Sequence, residues 1–510
     1  MTARYYDVVF LGVRTESLLC GALLAKRGFR VLVLGQGELA STYAVGERML
    51  PRHPNTFLAA HSPLSKKVMA ELALHQSVRR RATATDPAFQ VVMPGVRYEH
   101  ALDPAALERE RAREFPAVKR AIEDFDRRCE RHASDFDRIV ERELVWPPET
   151  FFERRELARA AAHQAFDREG DGPDLLAELP EMHPFRVVLD AVVRGATHYD
   201  PDHVVALSTS RSYWAWCHAA GIEGGTAWLH EALIDKIRTY SGDVRANDAA
   251  DRVLIRRGAV VGVRLAGSGD EIGCGFVAHA RPVAALMPML HDRTLLAELF
   301  ERLGEPTPRW FRYTLNVGVR SEGVPRGMAR DVFVVHDPQR KLGAENHLRI
   351  EVGEPDDAGV RNLCIEALLP RRGAEEVPGY VQSMRERVLD SLRALAPFLD
   401  RHLVYLDSPH DGREPHEIAS KQVVPSPEPW RRGTHTMEAL HGYPVRGALG
   451  ICGLPVRTPV RRLLLCNDQI VPGLGAEGAF VTAASVARVV ARKDRRKEWM
   501  RRGLWTKVEI

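Results

Sequence analysis

The chain has 510 residues, of which 45% are hydrophobic and 27% charged, and its formal net charge is +4. Those values exclude a wholly disordered chain, a collagen-like repeat and a small disulfide scaffold. They also leave too little positive charge, spread over so large a surface, for nucleic-acid binding. The length calls for more than one domain-sized core. Seven cysteines stand at positions 20, 129, 217, 274, 364, 452 and 466, with no Cys-x-x-Cys pair. They read as core thiols of a reducing compartment. The first residues run straight into a strand without the pattern of a signal peptide, and no apolar stretch approaches the ~18 residues that cross a bilayer. The expectation is a cytoplasmic protein, at most peripheral to the inner face of a membrane.

In chain order, residues 6–11 (Tyr-Asp-Val-Val-Phe-Leu) predict a buried strand ending at Gly12. Residues 15–27 predict a helix stopped by Gly28, and Arg30 to Leu34 a second buried strand. That is a βαβ unit, and its right-handed crossover implies a parallel sheet. From Asp103 to Phe166 the chain is dense in Arg, Glu and Asp, which predicts exposed amphipathic helices broken at Pro147-Pro148. A helix at 226–240 follows Gly224-Gly225, and three strands follow at Val253–Ile255, Val260–Leu265 and Gly275–His279. Alternating segments between 311 and 369 predict an antiparallel sheet. A helix at 378–399, a loop at 406–437, a strand at Arg462–Cys466 and a helix at 476–491 complete the chain.

The order of these pieces, more than any one of them, carries the likeness. Four stretches matter: Asp7 to Leu34; Phe89 to Pro94; Gly224-Gly225-Thr226 with Val260 to Leu265; and Arg457 through Asp468 to Pro472-Gly473-Leu474-Gly475-Ala476-Glu477-Gly478. In them the chain resembles the flavin-dependent phytoene desaturase, carotenoid isomerase and amine oxidase superfamily. The resemblance implies an α/β fold: a Rossmann-like FAD-binding domain of the GR2 flavoprotein type with an inserted α+β substrate domain. It assigns 1–75, 221–285 and 440–491 to the FAD-binding-like domain. Residues 76–220 become a helical insertion, 286–439 an antiparallel sheet plus helix, and 492–510 a basic tail.

The resemblance also implies the cofactor contacts. A helix N-terminus after the first strand favours a diphosphate, and glycines there let the backbone approach it. The family's Gly-x-Gly-x-x-Gly reads Gly12, Arg14 and Ser17 here, with Glu16 inside the turn. The acid that holds the adenosine ribose falls on Gly35, with Gln36 or Glu38 as substitutes. Val253 matches the strand position whose backbone faces the adenine. Asp468 matches the acid on the ribityl–phosphate portion of the flavin, Asn467 replaces the glycine before it, and Gly473, Gly475 and Gly478 match the turn and helix start. A plain strand–helix turn accounts for these last glycines equally well.

No other chemistry stands out. The 20 histidines never pair at the i, i+3 or i, i+4 spacing of a helical metal site, so they read as scattered structural residues and no metal is expected. There is no nucleophile elbow and no P-loop. Tyr213, Trp214 and Trp216 read as core aromatics, and Lys421 as a surface lysine. No catalytic side chain is visible, which suits chemistry carried by a flavin. The resemblance implies an FAD-dependent oxidoreductase acting on an apolar, polyisoprenoid-like small molecule by desaturation, oxidation or isomerisation. The alternative is a non-catalytic binding or scaffold protein of the same fold whose FAD site has decayed. The charge itself is local: residues 492–510 carry a net +5 with Trp499 and Trp505, and the rest of the chain −1. Such a tail reads as a frayed solubilising end or as a contact for an anionic membrane or a partner.

Overall fold

The computed structural model describes residues 5–162, 175–418, 422–423, 434–445 and 447–493. Lys421 and residues 494–510 of the basic tail lie outside them. Strand β1 (Tyr5–Leu11) runs into α1 (Thr15–Lys26) and β2 (Val31–Leu34). Then come β3 (Gln90–Met93), the long helix α2 (Lys119–Val140), α3 (Pro184–Arg194) and α4 (Ala206–Cys217). Helix α5 (Gly225–Thr239) leads to β4 (Asp243–Arg245), β5 (Ala250–Arg256), β6 (Ala259–Leu265) and β7 (Glu271–His279). Next are β8 (Thr307–Arg320), β9 (Asp331–Val335), β10 (His347–Pro355), β11 (Val360–Pro370), α6 (Tyr380–Leu395), β12 (Leu403–Asp407) and β13 (Glu438–Gly442). The last two are β14 (Leu463–Leu465) and α7 (Ala476–Lys493).

Among the described residues these strands build two large sheets. The first has seven strands in the order β4-β2-β1-β7-β6-β5, with β14 also beside β7. Strands β4, β2, β1, β7 and β14 are mutually parallel, and β6 and β5 turn back as an antiparallel meander. Val31–Leu34 is buried along its whole length, as a parallel strand covered on both faces must be. Helix α1 packs against α5 and α7. This is the expected Rossmann-like sheet, drawn from three separate segments of chain.

The second sheet has ten strands, centred on β8. That strand pairs with β11 from Trp310–Pro370 to Arg320–Val360 and, on its other side, with β12 and β13. Its two faces differ, as the alternation of a strand requires. Phe311, Tyr313, Leu315, Val317 and Val319 enter an apolar core with Met384, Val388 and Leu392 of α6. Arg312, Thr314 and Asn316 point the other way and are nonetheless buried. Thr314 donates to the Arg52 carbonyl, and Asn316 to Tyr43 and the Pro51 carbonyl. The polar face of this sheet therefore looks at the first domain.

Helices α3 and α4 are not among the elements the pattern predicts. Helix α4 is buried on nearly every side, so it lacks the polar face that would give a 3.6-residue period. It carries Tyr213 and Trp216 into the core as expected of them, with the Trp216 indole donating to the Val192 carbonyl, whereas Trp214 is only half-buried and lies against His218. All seven cysteines are buried and unpaired. Among the described residues no helix is long and apolar enough to cross a membrane.

Arg211 of α4 fastens this layer to the first turn of α7. Its guanidinium grips Glu477 through two 2.7 Å bonds and Asp137 of α2 at 2.6 Å, with Arg211 and Glu477 each 2% exposed. The ion pair holds the Glu477 carboxyl far below the usual range against the opposing effect of burial. Breaking a buried pair leaves an uncompensated charge. Arg211→Leu is expected to cost about 3–5 kcal/mol by chemical denaturation, and Arg211→Leu with Glu477→Leu to recover much of that loss.

Candidate functional site

A cavity of about 370 Å³ lies where the two sheets face each other. That is at the small end of the roughly 300–1,000 Å³ usual for ligand pockets. The start of α1, the loop after β2 and the segment 52–58 form one side of it. The loop after α3, the start of α5, the polar face of the second sheet and the loop from β14 into α7 form the rest. Its lining combines apolar side chains such as Leu58, Leu229, Met437 and Phe480 with charged ones. Arg14, Arg52, Arg312 and Arg349 stand against Glu16, Glu38, Glu366, Glu438 and Asp468.

At the first βα turn, Gly12 takes a φ of +119°, a backbone conformation that favours glycine. Ser17, in the third motif position, is fully buried and turned inward. Its hydroxyl accepts from the Arg14 N–H at 3.0 Å and donates to the Gly12 carbonyl at 2.8 Å. One of the free N–H groups that would meet a phosphate is thereby satisfied within the chain. The Arg14 side chain pairs with Glu38 at 3.3 Å and lies 3.9 Å from Asp468. Glu38 also takes Arg281 at 2.8 Å. Burial pushes the Glu16 carboxyl up to about 7, and the Asp468 charge adds to the shift.

The adenosine side has been rebuilt. A Cβ at Gly35 would sit 1.7 Å from the Ala246 carbonyl oxygen, so the ribose-binding acid has no space at this position. The backbone there is tied to the end of β4 and the loop after it, Gly35 N to Arg245 O at 3.0 Å and Gln36 N to Asp248 O at 3.1 Å. Gln36 is 8% exposed and does not substitute for the acid. Its amide oxygen accepts from the Ala250 N–H at 2.5 Å and its amide nitrogen donates to the Ala250 carbonyl at 3.2 Å. The side chain thus closes onto the first residue of β5 with an acceptor and a donor side by side. An adenine edge presents the same donor–acceptor pair to an amide. Val253 is buried opposite Val263 within the meander and is not part of the cavity lining.

On the flavin side, Asp468 does reach the cavity. The three glycines serve the chain's own packing. A Cβ at Gly475 would lie 1.8 Å from the Ala196 carbonyl oxygen, and one at Gly478 would lie 2.4 Å from that of Val471. At Gly473 it would meet Ile451 Cα at 2.8 Å. Of the three, only Gly475 lines the cavity. Asn467 braces the loop by donating to the Arg281 carbonyl at 2.6 Å. Of the positions the resemblance assigns, Gly35 has no room for an acid and Gln36 is tied to Ala250, whereas Glu38 and Asp468 reach the cavity beside Arg14.

The structure also assembles residues that local spacing does not connect. His198, after α3, meets Glu438 at the start of β13 with Nδ1–Oε1 at 2.8 Å. Burial alone would lower the His198 pKa, but the Glu438 carboxylate raises it. Glu438 in turn is held well below the usual range by His198 and Arg312, against burial. Arg312 is 4% exposed and bonds Glu366 at 2.5 Å, Glu438 at 3.4 Å and the Thr197 carbonyl at 2.8 Å. His198, Glu438 and Asp468 each place one donor atom within 4.8 Å of the others. His198 is thus joined to carboxylates from distant segments of the chain. The only sequence signal for this group is a set of isolated polar residues beside strand ends, from segments far apart in the chain.

No protein-family model matches the sequence, and no curated protein matches it. Solved structures do match over nearly the whole chain. An oxidoreductase from Methanosarcina mazei is 13% identical, with 94% of this chain and 100% of that chain covered and a TM-score of 0.58. Wild-type putrescine oxidase bound to putrescine is 13% identical, with 96% and 99% covered and a TM-score of 0.57. Cyclohexylamine oxidase from Brevibacterium oxydans is 15% identical, with 96% and 99% covered and a TM-score of 0.53. Two sheets, three chain segments building the first of them, and these end-to-end matches together give the chain the fold of the FAD-binding flavoprotein oxidoreductases, with a Rossmann-like domain and an inserted second domain.

Proposed function

We propose that this chain is a ligand-binding protein of the flavoprotein oxidoreductase fold, in which a charged small molecule takes the cavity in place of FAD. The observation that carries this reading is the closure of the adenosine side by the chain itself: Gln36 on Ala250, and the Ala246 carbonyl against Gly35. The charged groups of the lining favour a ligand that brings polar groups of its own to them, while Leu58, Leu229 and Phe480 offer apolar contact. An apolar molecule would strip water from the arginines and carboxylates without replacing their hydrogen bonds. The second reading is an FAD-dependent oxidoreductase of the amine oxidase kind. It is favoured by the position of the cavity between the two domains and by the amine oxidases among the structural matches.

Purified protein separates the two. The first reading expects a colourless preparation whose melting temperature does not move with added FAD. A yellow preparation with bands near about 370 and 450 nm, releasing FAD on denaturation, establishes the second. Gly35→Glu, which restores the missing acid, is expected to gain no FAD uptake. It should lose about 1–3 kcal/mol or more of stability, because the new side chain drives into the Ala246 carbonyl.

Glu16 gives a pH signature. Its folded pKa of about 7 lies above the usual value of 4.5, so the folded state holds this proton more tightly than the unfolded chain. The stability this contributes is complete below about 4.5 and is lost as pH rises through about 7. Glu16→Gln removes the loss. Its melting temperature relative to the native protein is expected to rise from pH 5 to pH 8, and a constant difference across that range would refute the assignment.

A further inference from the structure

Asp468 is a buried carboxylate with too little around it. Its side chain is 8% exposed, Oδ1 has no hydrogen-bond partner, and the nearest cation, Arg14, is 3.9 Å from Oδ2. A buried polar group left this way calls for a further partner. Across from it stand His198 and Glu438, with Nδ1 and Oε1 2.8 Å apart. The two carboxylates are arranged alike. Arg312 faces Oε2 of Glu438 and Arg14 faces Oδ2 of Asp468, so that Oε1 of Glu438 meets His198 Nδ1 and Oδ1 of Asp468 is left without a partner. All three side chains line the cavity, and each offers a donor atom within 4.8 Å of the other two.

We propose that His198, Glu438 and Asp468 form a mononuclear divalent-metal site in the cavity wall. One imidazole with two carboxylates suits Mn²⁺, Fe²⁺ or Zn²⁺ rather than a soft ion that wants thiolates. Three protein ligands leave coordination positions for water or for an oxygen donor of the molecule held in the cavity. The three ligands come from three separate loops and strand ends of both domains, so the metal joins the domains where they meet. Arg312 and Arg14 orient the two carboxylates from behind, in the way outer partners fix metal ligands elsewhere. The site rests on the reading of the cavity as a charged-ligand pocket.

The test uses the full chain, stripped with a chelator and titrated with Mn²⁺ and separately with Zn²⁺ by calorimetry. The expected result is one saturable site per chain, with affinity at least 10-fold weaker in both Asp468→Asn and His198→Ala. His75→Ala, exposed and outside the cavity lining, should bind as the native protein does. Melting curves accompany each variant, and His198→Gln replaces any variant that does not fold. Absence of a saturable site, or equal affinity in the triad variants, overturns the proposal; the latter assigns the binding to surface histidines. The two readings fail separately. A colourless, FAD-free protein without this metal site refutes the metal alone. A preparation carrying stoichiometric FAD and no metal refutes both.

Discussion

A guanidinium buried at the meeting of two domains governs the rest of the structure. Arg312 sits mid-sheet on β8 with 4% of its surface exposed, and a charge there is tolerable only if its surroundings are arranged around it. Glu366 on the neighbouring strand, Glu438 on β13 and the Thr197 carbonyl from the loop after α3 supply that arrangement. Each contact also fixes something else. The Thr197 contact positions His198, and Glu438 holds His198 from the other side. The polar face of the second sheet, which a free-standing sheet would turn to solvent, becomes a wall of the cavity between the sheets.

That dependence explains which features the sequence discloses. The β1–α1–β2 unit is legible because continuous apolar runs, a glycine turn and a helix stop lie within about thirty residues. The strand and helix around Asp468 are legible for the same reason, and the superfamily order of segments places both in one sheet. Gly12 keeps its required positive φ, so that part of the motif means what it says. The adenosine side is different. Gly35 looks like a lost acid, but its meaning depends on the Ala246 carbonyl, more than two hundred residues away. Gln36 looks like a substitute ligand and is instead tied to Ala250. Val253, Gly473 and Gly478 lie in the right elements and outside the cavity lining. Motif spacing reports the local chain path, whereas ligand contact depends on what the distant chain has already filled.

His198, Glu438 and Asp468 mark the limit in the other direction. A metal motif on one helix announces itself through i, i+4 spacing, and none is present. Three ligands from three segments carry no spacing at all, and only the docking of the two sheets brings them together. The same holds for Glu38, which takes both Arg14 and Arg281 although neither is near it in sequence.

The charge at the start of α1 decides what kind of occupant this cleft accepts. A helix N-terminus favours an anion by about 0.3–1 kcal/mol, and in a dinucleotide-binding protein the diphosphate receives that preference. Here the chain has placed its own carboxylates there: Glu16 in the first turn, with Glu38 and Asp468 facing Arg14. A further anion about 4 Å from one such carboxylate would meet a repulsion of roughly 4 kcal/mol at an effective dielectric near 20. Arg14 and Arg281, which pair with Glu38, offset part of that repulsion, and Asp468 with Arg14 only at 3.9 Å is offset least. The raised Glu16 pKa comes first from burial, with the Asp468 charge adding to it. A cleft built to receive phosphate has become one that is short of positive charge near Asp468, and a metal cation, or a ligand bringing one, satisfies it where a dinucleotide does not.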